Sequence, residues 1–138
     1  VYHATVPVGG GTDALRADRL IWIEKWLAQF IHDGYAFAIE SLPTHGAFAL
    51  APLGELHGVM RRRLRVSGCN VQTAPLATAR KLLMGKLPRS DQKAIVRRTV
   101  QSFDGCEHWT GDECDAFVVA NWLLAELGAP FLSASKED

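Results

Sequence analysis

Tyr35-Ala36-Phe37-Ala38-Ile39-Glu40 is a continuous apolar run that ends on a carboxylate. Unbroken apolar character without alternation predicts a central strand covered on both faces. On either side the pattern changes to a helical period. Upstream, Thr12 or Asp13 opens a helix to about Ile31, with Leu20, Ile23, Leu27, Phe30 and Ile31 on one face and Trp22 and Trp26 widening it. Downstream, Pro52 suits the first turn of a helix with a stripe of Leu53, Leu56, Met60 and Leu64. In that helix Gly54 and Gly58 lie one turn apart and imply a close backbone approach. Asn70 to Gln72 reads as a short strand. Pro75 then opens a helix to about Met84 that Gly85 closes, and Ser90 caps another to Phe103 with Ile95 and Val100 inward. A last helix starts near Gly111 and is expected to bury Ala116, Val119, Leu123 and Leu127. Residues 1–8 alternate as a strand does and run into the hinge-like Gly9-Gly10-Gly11, while the tail after Phe131 is expected to fray. Strands alternating with helices predict an α/β fold, and 138 residues predict a single domain with a core that needs no disulfide or structural metal.

Composition narrows the function classes. No apolar run is long enough to span a bilayer. Cys69, Cys106 and Cys114 are an odd set without framework spacing, which predicts a reducing, cytoplasmic compartment. Cys106-x-His108 with Cys114 lacks a paired C-x-x-C and a fourth ligand, so it does not read as zinc. The chain opens on Val1, already inside an alternating run, which raises the expectation of native residues upstream.

Net charge is zero, but its distribution is uneven. Between Arg80 and Arg98 lie Arg80, Lys81, Lys86, Arg89, Lys93, Arg97 and Arg98, against the single acid Asp91. Arg61, Arg62, Arg63 and Arg65 form a second basic cluster. From Asp104 onward there are eight acids and only Lys136. Cations that hold phosphates beside carboxylates that hold metal are what phosphodiester chemistry needs; solvated helix faces with an acidic tail are the plain alternative.

Thr110-Gly111-Asp112-Glu113-Cys114-Asp115-Ala116 sets three carboxylates at the start of an apolar helix. Thr110-x-x-Glu113 fits a capping box, which accounts for Glu113. Asp112 and Asp115 share a helix face one turn apart and can reach one ion. Glu40, at the carboxyl end of a strand, is where α/β sheets gather ligands. Hard oxygen ligands of this kind favour Mg²⁺ or Mn²⁺, and two such ions serve phosphodiester hydrolysis. His57, between Leu56 and Gly58, reads as structural, and Trp109 either walls the acids or covers the helix start.

The blocks Tyr35-Ala36-Phe37-Ala38-Ile39-Glu40-Ser41, Leu53-Gly54-Glu55-Leu56-His57-Gly58-Val59 and Asp112-Glu113-Cys114-Asp115-Ala116, with a lysine-bearing helix before the last, resemble the RuvC family of Holliday-junction resolvases, particularly its phage-type members. The resemblance covers roughly residues 35 to 128. It implies an RNase H-like mixed sheet flanked by helices, and a divalent-metal-dependent endonuclease acting on four-way or other branched DNA in a bacterial cell or phage-infected host. By position, Glu40 matches the family's second catalytic acid, and Asp112 and Asp115 its third and fourth. Lys93 matches a basic position near the scissile phosphate, and Arg80 or Lys81 occupies the place of another. Arg61, Arg62, Arg80, Lys81, Lys86, Arg89, Lys93 and Arg97 become the candidate DNA contacts. The family's first catalytic Asp, carried on an N-terminal strand, has no match here; Asp13 opens a helix after a Gly-rich loop. Without that acid the chain is expected to bind metal and to cut poorly. Paired cuts imply a two-fold dimer, for which the Trp22 and Trp26 face is a candidate surface, core packing being the alternative. A branched-DNA-binding module without catalysis and another RNase H-like nuclease are the competing readings.

Overall fold

A computed structural model of the chain describes residues 13–42 and 47–133. The strand expected over residues 1–8, the Gly9-Gly10-Gly11 loop and the end of the tail lie outside the described residues. Among those described, the chain is α/β, with five helices and a small two-stranded parallel sheet. They group into two compact units, one reaching to Gln72 and the other starting at Thr73.

The N-terminal unit contains α1 (Asp13–Ala28), β1 (Ala36–Glu40), α2 (Ala47–Val66) and the first part of β2 (Asn70–Ala74). A parallel pair needs a crossover, and α2 supplies it between β1 and β2. Leu27, Leu64, Cys69 and Val71 form the core, with Trp26, Ile31, Phe37, Ile39 and Met60 packed against it. Leu64 is fully buried, so Leu64→Ala belongs with large-to-small core changes that cost about 2–5 kcal/mol. α1 packs on α2, and Arg16 reaches Glu55 across them at 2.7 Å. Both partners of that pair are well exposed, which limits its worth to about 1 kcal/mol or less.

Four expectations change in this unit. The strand run is half-buried and ends on an exposed Glu40, because β1 has a single strand neighbour among the described residues. Pro52 lies in the second turn of α2, which starts earlier, at Ala47; the missing N–H there removes one ladder bond. Leu53 is exposed, so the buried stripe runs through Met60 and Leu64. A Cβ at Gly54 or Gly58 would meet open space, so neither glycine serves a close backbone approach.

The C-terminal unit is helical: α3 (Leu76–Met84), α4 (Gln92–Gln101) and α5 (Gly111–Glu126), with α3 and α4 both packed on α5. Gly85 ends α3 at φ 73°, where a residue with a Cβ is strained, and its N–H closes on the Lys81 carbonyl. α4 begins at Gln92, one residue later than a Ser90 cap implies. Asp91 takes the left-handed region at φ 59°, which a short polar side chain tolerates, and no side chain caps the helix. The core holds Ala79 and Leu83 from α3, Val96 and Val100 from α4, and Cys114, Val118, Val119, Trp122 and Leu123 from α5. The inward face of α5 is therefore turned from the one expected: Val119 and Leu123 are inside, but Ala116 and Leu127 are exposed. Ile95 is half-buried and Val96 takes the inner place in α4.

Candidate functional site

The start of α5 is built by the Thr110–Glu113 capping box. The Glu113 N–H donates to Thr110 Oγ1 at 3.3 Å, and the Thr110 N–H and hydroxyl donate to Glu113 Oε2 at 2.7 and 2.8 Å. Reciprocal capping satisfies backbone donors that would otherwise be orphaned, and it fixes the first turn that carries Asp112 and Asp115. Trp109, just before α5, packs against its second turn. Its ring meets Phe117 edge-on at 5.7 Å, Phe103 lies tilted against Phe117 at 5.9 Å, and Gln101 Nε2 donates to the Trp109 carbonyl at 2.7 Å.

Asp112 is exposed in the first turn. Asp115 is half-buried and engaged. Arg80 Nη2 donates to Oδ1 at 2.8 Å and to Oδ2 at 3.0 Å, and Arg80 Nε donates to Oδ1 at 3.3 Å. Arg80 itself is only 8% exposed. A residue expected to face DNA phosphate thus spends its fork on a carboxylate expected to face metal. The cause is proximity: α3 packs on α5, and the guanidinium geometry matches both carboxylate oxygens.

The other cations of the basic stretch are disposed differently. Lys81, Lys86, Arg89, Lys93, Arg97 and Arg98 are all exposed, and among the described residues none of them is in an ion pair. In the N-terminal unit Arg61 and Arg62 are likewise exposed on α2, and Arg65 donates to the Val71 carbonyl at 3.4 Å.

Glu40 belongs to the N-terminal unit, whereas Asp112, Asp115 and Lys93 belong to the C-terminal one. The Glu40 main chain is tied by His57, whose Nε2 lies 2.5 Å from the Glu40 carbonyl oxygen; since a carbonyl only accepts, Nε2 carries the proton. His57 therefore anchors the end of β1 to α2, the structural role expected of it.

Donor geometry bears on a metal. Among the described residues no group of three or more His, Cys, Asp or Glu side chains is gathered closely enough to hold one. Asp115 has both oxygens committed to Arg80. As arranged, these residues do not form the cluster of hard oxygen ligands that Mg²⁺ or Mn²⁺ takes. The thiol of Cys114 is fully buried, and burial pushes its pKa up, which disfavours the thiolate that zinc binds. Glu107 is held below the usual carboxylate range by backbone N–H bonds, from its own residue first and then from Gly105 at 3.1 Å.

Two features escaped the sequence reading. The Arg80–Asp115 pairing joins residues far apart in the chain and leaves no local signal. Asn121 did leave one, as a lone amide within Val118-Val119-Ala120-Asn121-Trp122-Leu123. It is buried, and it clamps Leu132 by donating to its carbonyl at 2.8 Å and accepting from its N–H at 2.7 Å. The groove beside it, lined by Phe117, Leu124, Pro130, Phe131 and others, contains no titratable side chain and offers no chemistry.

No helix among the described residues is long and apolar enough to cross a membrane. No protein-family model matches the chain, and no curated protein matches it.

Proposed function

We propose that the protein is a RuvC-like, divalent-metal-dependent endonuclease of branched DNA, with an RNase H-like fold and a dimeric assembly. The observation that carries the nucleic-acid part is the division of the basic stretch. Six exposed cations lie on α3, α4 and the loop between them, none in an ion pair with a described residue, while the buried Arg80 of α3 faces a carboxylate. Unpaired cations gathered on a short stretch of chain attract a polyanion and release its counterions. The hydrolytic part rests on the order and spacing of Glu40, Lys93, Asp112 and Asp115, which follow the resolvase pattern.

In this reading Lys81, Lys86, Arg89, Arg97, Arg61 and Arg62 contact the phosphate backbone without reading sequence. Lys93 is a preorganised cation at the phosphate being cut. Glu40, Asp112 and Asp115 are the acids that the resemblance assigns as carboxylates, and Mg²⁺ or Mn²⁺ is the cofactor its pattern calls for. Trp22, exposed on α1 at 44% beside Ile21 at 49%, offers a surface for the second copy, whereas Trp26, expected on the same surface, packs against the core of the N-terminal unit.

A second reading has its own observation. Asp115 is neutralised by Arg80, as expected of a branched-DNA-binding module that has given up catalysis.

The test is competition for a labelled four-way junction by unlabelled junction, linear duplex and RNA–DNA hybrid, over a salt series, with cutting scored in the same tubes with Mg²⁺. Preference for the junction, steep weakening with salt and metal-dependent cuts support the resolvase reading. Binding with the same preference and no cuts supports the module. Equal binding to linear duplex or hybrid, or salt-independent binding, contradicts both.

A further inference from the structure

α5 carries a second apolar row besides the one packed on α3 and α4. Phe117, Ala120, Leu124 and Leu127 follow one another at three- and four-residue spacing, and Ala120, Leu124 and Leu127 are exposed. The chain turns back over this row. Gly128 takes φ 68°, its N–H donates to the Ala125 carbonyl at 3.0 Å, and the Ala129 N–H donates to the Leu124 carbonyl at 2.9 Å. These are the paired bonds with which a left-handed glycine ends a helix and reverses the chain. Pro130 then restricts the backbone. Two residues on, Asn121 holds the main chain of Leu132 at two points, 2.8 and 2.7 Å long. Residues 129–132 are thus tied at both ends to the helix they leave. Phe117, Ala120 and Leu124 on α5 and Pro130, Phe131 and Leu132 on the returning segment line a groove of about 270 Å³.

We infer that residues 129–132 are a releasable strap, which swings on the Gly128 turn and closes on Asn121, covering and uncovering the outer row of α5 while α3, α4 and α5 stay packed. The inference stands apart from the nuclease reading. Its physical basis is the kind of tie that holds the far end. Asn121 is 3% exposed, so its amide needs partners, and it finds a donor and an acceptor on one residue, as a neighbouring strand would supply them. Asn121 also lines the groove, so water entering as the strap leaves takes over both bonds and opening does not orphan them. Phe131 and Leu132 are 44% and 46% exposed, so their departure uncovers less apolar area than the loss of a core side chain. Opening therefore draws on two hydrogen bonds and a partial apolar contact, well below the cost of parting the helices.

The test is native-state amide exchange of the full chain read by NMR, with chymotrypsin cleavage after Phe131 located by mass spectrometry. Wild type, Asn121→Ala and Asn121→Asp are compared, and circular dichroism checks that helix content is unchanged. In wild type the protection of the Leu132 amide should be lower than that of Val118 and Leu123 by at least about ten-fold, and insensitive to low urea, because strap opening exposes little surface. Asn121→Ala should raise exchange at Leu132 and cleavage after Phe131 by on the order of ten-fold, the scale of two lost hydrogen bonds, and leave the core amides as they are. An ionised Asp accepts from the Leu132 N–H but cannot donate to its carbonyl, whereas a protonated one does both. Relative to wild type at the same pH, Asn121→Asp should therefore hold the strap in acid and release it as the carboxyl ionises. A Leu132 amide that exchanges only together with Val118 and Leu123, with their urea dependence, overturns the inference by making the segment part of the core. Exchange and cleavage in a folded Asn121→Ala equal to wild type overturn Asn121 as the tie. The wild-type measurement needs no substitution, so a variant that misfolds does not remove the test.

Discussion

Arg80 on α3 and Asp115 on α5 are joined by hydrogen bonds of 2.8, 3.0 and 3.3 Å, which ties the basic and acidic halves of the C-terminal unit together at one point. For such a pair, what a substitution leaves behind matters more than what it removes. Asp115→Asn keeps the shape but leaves a nearly buried guanidinium facing a neutral amide. The expected cost is about 1–3 kcal/mol, read as a shift of the urea midpoint. A midpoint unchanged from wild type would mean that the pair is worth no more than an exposed one.

Lys93 is exposed on α4 and makes no ion pair with a described residue, and in the proposed reading its charge faces the substrate. Lys93→Ala should slow cleavage by about 10²-fold, the scale for losing one preorganised transition-state contact, while weakening junction binding far less. Single-turnover cleavage beside equilibrium binding separates the two. Equal losses in both would make Lys93 a phosphate anchor.

The first turn carrying Asp112 and Asp115 depends on its cap. Thr110→Ala removes the side-chain acceptor for the Glu113 N–H and should cost about 1 kcal/mol. Thr110→Ser, which keeps the acceptor, should recover most of that loss in the same denaturation experiment. No recovery would place the cost in lost packing.

Burial raises the pKa of Cys114, so the native state keeps a proton that the unfolded chain gives up in alkali. The contribution is constant below the unfolded value. Stability should then fall as pH rises from about 8.5, and the decline should level off above the folded value. Cys114→Ala should flatten this part of the stability–pH curve whatever its effect on absolute stability. An identical slope in the variant would assign the alkaline loss to other groups.

What was legible in the sequence follows from how local each cause is. Pro75, Gly85 and the Thr110–Glu113 box act within one turn of themselves, and each boundary they imply is where the helix starts or stops. The rotation of α5 was not legible because the helix is apolar almost all round; Cys114, Val118 and Trp122 compete with Ala116 and Leu127 on equal terms until α3 and α4 pack against it. Pro52 misled for the opposite reason. It marks a helix start only if the preceding residues are not already helical, and α2 starts at Ala47. In the candidate site, exposed Lys93 and Asp112 and the capping role of Glu113 follow from their own neighbourhoods. The engagement of Asp115 does not, because its partner lies 35 residues away and hydrophobic periodicity carries no information on which charge meets which.

The most direct measurement is nicking of a labelled four-way DNA junction by the full-length protein, with Mg²⁺ and with EDTA, beside Asp115→Asn. Metal-dependent nicks paired on two strands, lost in Asp115→Asn while junction binding persists, are the expected result. Normal cutting by Asp115→Asn would contradict the assignment of that acid. Junction binding without nicks in any divalent metal would contradict the nuclease and leave the branched-DNA-binding module.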